Sequence, residues 1–175
     1  MYGGRPMLLG VMSDSHDNIP NVRRAIEKLD KEGVDLIIHL GDIVSPFTLR
    51  EICSKGIHVE AVFGNNCGEK MLLSRVAGEC GATIGDPPRI LQLNGKKILL
   101  LHGFGPKDLT VQIARELAST GSYDVVLFGH THEAMVEKHG GTLLLNPGET
   151  LGYLTGKASV AVVDTERLDG WVLPI

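Results

Sequence analysis

The chain has 175 residues, a formal net charge of −4, and is 43% hydrophobic, 22% charged and 5% aromatic. This length suits one domain, residues 1–175, with room for a proper core. The acidic balance argues against long nucleic acid or an anionic membrane as partner, and the few aromatics argue against a stacking platform for single strands.

Residues 1–6 are polar and Gly-rich and read as a flexible tail, with no apolar core to make a signal peptide. Residues 8–12 form a first apolar strand. Val22, Ala25, Ile26 and Leu29 then recur at helical spacing, with Asn18 as N-cap, Pro20 in the first turn and Gly33 as the stop. Residues 34–40 read as a strand, Leu49 and Ile52 as part of a short helix after Pro46, residues 57–63 as a third strand and residues 70–80 as a third helix. Near-continuous apolar strands alternating with helices predict a parallel sheet. The second half changes character, with strands expected over 90–93, 96–102, 125–129, 135–138, 142–146 and 158–164. Asn94-Gly95 and Gly140-Gly141 are hairpin signals. One helix interrupts them, with Leu109, Ile113 and Leu117 on one face. The expectation is α/β, with two sheets face to face and helices outside. No stretch approaches the roughly 20 apolar residues of a membrane span. Cys53, Cys67 and Cys80 show no C-x-x-C spacing and fit free thiols in a cytoplasmic protein.

Polar clusters stand just after predicted strands: Asp14-Ser15-His16, Gly41-Asp42, Gly64-Asn65-Asn66, His102-Gly103 and His130-Thr131-His132. Ligands of open α/β sheets gather outside the carboxyl ends of strands, so these loops can converge on one site. Each cluster has a plain structural reading by itself. Asp14 to Asn18 suits a helix-entry turn, Asp42 a cap for the helix near Pro46, Asn65-Asn66 a tight turn, and His102 a satisfied strand-end histidine. His130-x-His132 is the most specific piece, since residues two apart in an extended segment share a side. Taken together, two Asp, one Asn and four His at strand ends need one reason, and metal binding supplies it. The donors suit Mn, Fe, Co, Ni or Zn rather than Ca or an all-oxygen Mg site. They are too many for one tetrahedral ion and suit two. Two divalent cations less two carboxylates leave a positive surplus, which fits anionic substrates.

The ordered set Asp14-x-His16, Gly41-Asp42, Gly64-Asn65, His102 and Gly129-His130-x-His132 resembles the calcineurin-like metallophosphoesterases. Its length and the Asn146-Pro147-Gly148 turn resemble the small prokaryotic phosphodiesterase branch. The resemblance implies a four-layer αββα sandwich. It also implies two divalent ions, with manganese preferred: Asp14, His16 and His132 at the first, Asn65, His102 and His130 at the second, and Asp42 as bridge. A bridging hydroxide would attack phosphorus in line. Asp42, His16 and Asn66 are the positions assigned to catalysis. The family's usual His-acid pair after the ligand Asn is replaced here by Asn66 and Cys67, which removes a general acid, although Glu69 lies nearby. Esters with good leaving groups are the expected substrates. Cys67 is read either as buried or as sitting at the metal rim, His39 as a support to a ligand, and His58 and His139 as surface residues. The same dinuclear core serves phosphomonoesterases. A related retromer subunit is a protein-binding scaffold with a degraded metal site, whereas every ligand position here carries a coordinating side chain. Family precedent adds a homodimer or homotetramer.

Overall fold

The computed structural model describes residues 7–175, so the expected tail lies outside the described residues. The first half contains β1 (Leu8–Met12), α1 (Ile19–Lys31), β2 (Leu36–His39), α2 (Pro46–Ile52), β3 (Val59–Val62), α3 (Lys70–Cys80) and β4 (Thr83–Gly85). The second half contains β5 (Arg89–Leu93), β6 (Lys96–Leu100), α4 (Lys107–Ser119), β7 (Val125–Leu127), β8 (Met135–His139), β9 (Thr142–Asn146), β10 (Ser159–Asp164) and β11 (Asp169–Pro174).

Local chemistry sets the helix limits. Asn18 accepts from the Asn21 amide at 3.3 Å and Pro20 sits in the first turn of α1, where its missing N–H costs nothing. Lys28 and Lys31 occupy the last turn, where cations suit the helix dipole. Gly81, in the left-handed region, closes α3.

Two sheets result. One has the order β11-β10-β1-β2-β3-β4, the other β5-β6-β7-β9-β8. In the first, β1 to β4 run parallel, and β10 and β11 are antiparallel additions. Strand alternation assigns side chains to layers. Leu9 and Val11 of β1, Leu143 and Leu145 of β9, and Ala161 and Val163 of β10 meet between the sheets. Val160 and Val162 face the other way and pack with Val22, Ile26 and Leu29 of α1. Leu144 packs against Ala114 and Ala118 of α4. Helices therefore cover both outer faces, and the αββα order stands.

Three expectations need correction. The fully buried face of α4 is Thr110, Ala114 and Ala118, while Leu117 of the expected Leu109, Ile113 and Leu117 face packs partly buried against the same core. Small side chains let the helix sit close on its sheet, and Leu109 is left 43% exposed. β4 and β11 escaped sequence reading. β4 is three residues long, and β11 is an edge strand whose polar alternation carries little signal. Several strands also end one or two residues before their apolar runs.

Candidate metal centre

Loops leaving β1, β2, β3, β6 and β7 converge. The Asp14 amide donates to Gly41 O at 3.1 Å, the His16 amide to Asp42 O at 3.1 Å, and the Gly129 amide to His102 O at 3.0 Å. These bonds hold the loops to one another. The expectation that Asp14 and His16, or His130 and His132, share a side through strand alternation is not what the structure shows. β1 ends at Met12 and β7 at Leu127. Asp14, His16, Asp42, His130 and His132 all adopt positive φ, between 40° and 68°. Left-handed turns, not a pleat, aim these side chains inward. Such strain at non-glycine residues persists only where the surroundings impose it, and it clusters at functional sites.

The first three side chains meet closely. One donor atom from each of Asp14, His16 and His132 lies within 4.8 Å of the others, and the His16 and His132 rings stack at 5.3 Å. Asn65 Oδ1 stands 2.9 Å from His102 Nε2 and 3.0 Å from His130 Nδ1. Asp42 Oδ2 lies between the two groups, 3.4 Å from His16 Nε2 and 3.6 Å from His102 Nε2. Bonds of about 2.0–2.2 Å to an ion place neighbouring donors roughly 2.9–3.6 Å apart. The separations made by Asn65 and Asp42 fall in that range.

The imidazole tautomers sharpen the picture. His102 Nδ1 is 2.7 Å from Leu40 O, His130 Nε2 is 2.6 Å from Gly105 O, and His132 Nδ1 is 2.8 Å from Glu149 Oε2. A carbonyl or carboxylate oxygen only accepts, so these nitrogens carry the protons. In a neutral ring the other nitrogen then presents a lone pair. Those lone pairs face more acceptors: Asn65 Oδ1 for His102 and His130, and Asp14 Oδ1 at 3.5 Å for His132. A cation among them turns repulsion into coordination. Asp14 Oδ1 and His16 Nε2 are also buried without a hydrogen-bond partner; Thr150 Oγ1 shares that condition.

The electrostatics agree. Burial pushes the Asp14 carboxyl up, against the pull of His102, Ser13 and His132. Burial acts the same way on Asp42, but His102 and two hydrogen bonds from Asn66 hold it far below the usual carboxylate range. Burial would lower His102, yet Asp42 and Asp14 raise it, the response of an imidazole surrounded by acceptors. Glycine makes this crowding feasible. A Cβ on Gly41 would lie 2.4 Å from His102 Nδ1, and one on Gly64 would lie 2.1 Å from Asp42 Oδ1.

The fold thus brings together Asp14, His16, Asp42, Asn65, His102, His130 and His132. Asp42 does not cap α2; Ser45 is its N-cap residue. Asn66 is also present, but its amide Nδ2 donates to Asp42 Oδ2 at 2.7 Å and its backbone N–H to Asp42 Oδ1 at 2.8 Å. It therefore orients the carboxylate. Glu69 is exposed at the start of α3. Cys67 is buried within the helix-side core, where its sulfur accepts from the Gly64 amide at 3.3 Å, which favours the packing reading over the metal rim. Cys53 and Cys80 are partly buried against the same core.

His39 is fully buried and supports the site. The Gly41 amide donates to its Nδ1 at 3.2 Å, so its Nε2–H points to Ser15 Oγ at 3.0 Å, and Ser15 in turn reaches Asp42 O. Burial lowers its pKa to about 3 and keeps it neutral. His58 and His139, expected at the surface, are partly exposed. Each pairs with a glutamate two positions away, Glu60 and Glu137. Sequence reading missed Glu149 altogether. Its buried carboxylate holds His132 and accepts from the Thr155 amide and hydroxyl. Its sole signal in sequence is an acid directly after the Asn146-Pro147-Gly148 turn.

The model of the calcineurin-like phosphoesterase superfamily domain matches residues 7–168. Phosphodiesterase MJ0936 of Methanocaldococcus jannaschii is 38% identical over 162 residues, 92% of this chain and 95% of the relative. Phosphodiesterase YfcE of Escherichia coli is 26% identical over 180 residues, covering 93% and 90%. Among solved structures, an archaeal phosphodiesterase superposes with a TM-score of 0.85 at 35% identity, covering 97% of this chain and all of that one. Vps29 of Entamoeba histolytica, complexed with zinc, reaches 0.62 at 18% identity over 97% and 98%, a likeness of fold alone.

Proposed function

The chain belongs to the calcineurin-like phosphoesterase superfamily, and on that premise we propose that it is a metal-dependent phosphodiesterase acting on small phosphate diesters. The observation that carries the reading is the set of imidazole lone pairs on His102, His130 and His132 facing the oxygens of Asn65 and Asp14. Relatives bearing the name phosphodiesterase supply the reaction class.

Asp14, His16 and His132 would hold one divalent ion, and Asn65, His102 and His130 a second, with Asp42 shared. Such a pair supplies acidified water for in-line attack and a clamp on the charge developing at phosphorus. The chain's own residues do the rest. Asp42 stays ionised and is aimed by Asn66. Glu149, Leu40 O and Gly105 O fix the tautomers that turn ligand nitrogens inward. Asn66 donates hydrogen bonds but no proton, so the reading favours esters whose leaving groups need no protonation.

Manganese is the ion of choice in this reading, with Fe, Co, Ni and Zn suited to the same donors. One domain, a cytoplasmic location and assembly as a homodimer or homotetramer complete it. Among the described residues no helix is long and apolar enough to cross a membrane.

The test is hydrolysis of bis-p-nitrophenyl phosphate beside p-nitrophenyl phosphate, after stripping the protein and reloading it with Mn²⁺. Metal-dependent turnover of the diester, with little of the monoester, is expected. Faster turnover of the monoester would make it a phosphomonoesterase. Bound metal without turnover of either would replace the enzyme by a protein-binding scaffold.

A further inference from the structure

A cavity of about 320 Å³ opens beside the proposed second metal group. Asn65, His102, Phe63 and Pro87 line it, and the exposed side chains of Lys70 and Asp86 stand at its rim. If phosphorus reacts above Asn65 and His102, a group entering this cavity is one of the two ester arms attached to it. That step rests on the proposed function.

The cavity's chemistry restricts the arm. Lys70 Nζ lies 5.0 Å over the Phe63 ring, so the walls offer an aliphatic stem and a proline ring. At the rim, Lys70 Nζ meets Asp86 Oδ1 at 2.7 Å, with side chains 50% and 73% exposed. So exposed a pair contributes little by itself and exchanges partners at little cost. A purely alkyl arm would leave both rim groups unused. An anionic arm would satisfy Lys70 and be repelled by Asp86. A flat heterocycle with a donor and an acceptor on one edge answers both, the donor to Asp86 and the acceptor to Lys70. The volume is at the small end of ligand pockets, which run from roughly 300 Å³ upward. It suits one such ring, and the acidic net charge does not favour a long nucleic acid strand.

The geometry points to a nucleoside-binding subsite in which Lys70 and Asp86 read the polar edge of the base on one ester arm. Both are specificity-determining residues and stand apart from the proposed metal ligands. Lys70 occupies the first turn of α3, where the helix dipole disfavours a cation, so its removal leaves the helix intact.

The experiment compares thymidine 5′-(p-nitrophenyl phosphate) with methyl p-nitrophenyl phosphate, in wild type, Lys70→Ala and Asp86→Ala. The leaving group is common to both esters, so their difference reports the other arm. Wild type is expected to favour the thymidine ester in kcat/KM by about three- to tenfold, the worth of one or two hydrogen bonds at an open rim. Each variant should lose most of that preference through KM, with the methyl ester unchanged. Equal kcat/KM for the two esters in wild type, or variants that slow both alike, would overturn the subsite. If neither ester turns over, the phosphodiesterase reading fails by itself. The subsite is then judged by thymidine 5′-monophosphate binding to the Mn²⁺-loaded protein: weaker binding in both variants supports it, and unchanged binding overturns it.

Discussion

Glu149 Oε2 stands 2.8 Å from His132 Nδ1, and that contact aims His132 Nε2 at Asp14 Oδ1. Burial works to raise the Glu149 carboxyl, but the Thr155 bonds and His132 overcome it and hold it below the usual range. The carboxylate thus stays charged behind the imidazole and would strengthen it as the metal ligand proposed above. Glu149→Ala should weaken metal binding by about 10- to 100-fold, the usual cost of losing such a partner. Glu149→Gln, which retains an acceptor, should recover part of it. Metal titration of both variants is the check; full affinity in the alanine variant would reduce Glu149 to a loop anchor.

Asp42 lies between the two proposed ligand groups. Asp42→Ala should abolish metal-dependent turnover and the binding of both ions while the fold survives. His132→Ala should empty mainly the first group and His102→Ala mainly the second. Metal content per chain, measured for each, distinguishes these outcomes. A reversed pattern would mean the groups are exchanged.

Gly64 leaves no room for a side chain, since a Cβ would lie 2.1 Å from Asp42 Oδ1 and 2.3 Å from Asp42 N. Gly64→Ala is therefore expected to displace Asp42 and abolish metal binding. Far-ultraviolet circular dichroism should stay unchanged, because the residue lies outside β3. Wild-type metal affinity in this variant would show that Asp42 tolerates the shift.

His39 gives a pH dependence. Its ordinary pKa of 6.5 falls to about 3 in the folded chain, chiefly through burial. The unfolded chain binds the extra proton first as pH drops. The stability His39 contributes is complete above about 6.5 and is lost as pH falls toward about 3. His39→Gln, neutral at all pH, should show a shallower loss of stability across that window. Urea unfolding at several pH values measures it, and parallel curves for the two proteins would remove His39 from the acid limb.

Asn66 is committed to Asp42 by two hydrogen bonds. Aryl diesters should outpace alkyl diesters strongly, because general acid catalysis worth about 10²- to 10⁴-fold is missing from this position. Equal rates for a dialkyl and a diaryl ester would indicate a proton donor elsewhere. Asn66→Ala should lower activity on both classes, through a looser Asp42.

The sequence alone determined the layers and which polar residues gather at the site. The apolar runs at 8–12, 34–40 and 57–63 and the turns at Asn94-Gly95 and Gly140-Gly141 are local signals, set by residue type and period. The polar clusters that follow the strands are equally local. Only the tertiary structure decided how those clusters aim. Positive φ at Asp14, His16, Asp42, His130 and His132 is imposed by bonds between loops distant in sequence, such as the Asp14 amide to Gly41 O. Asp and His tolerate that region more readily than other non-glycine residues, but residue type alone does not announce it. The same holds for Glu149 behind His132, for Asn66 turned onto Asp42, and for the Thr110, Ala114 and Ala118 face of α4. Each depends on what lies across a packed interface, and spacing along one chain does not contain that information.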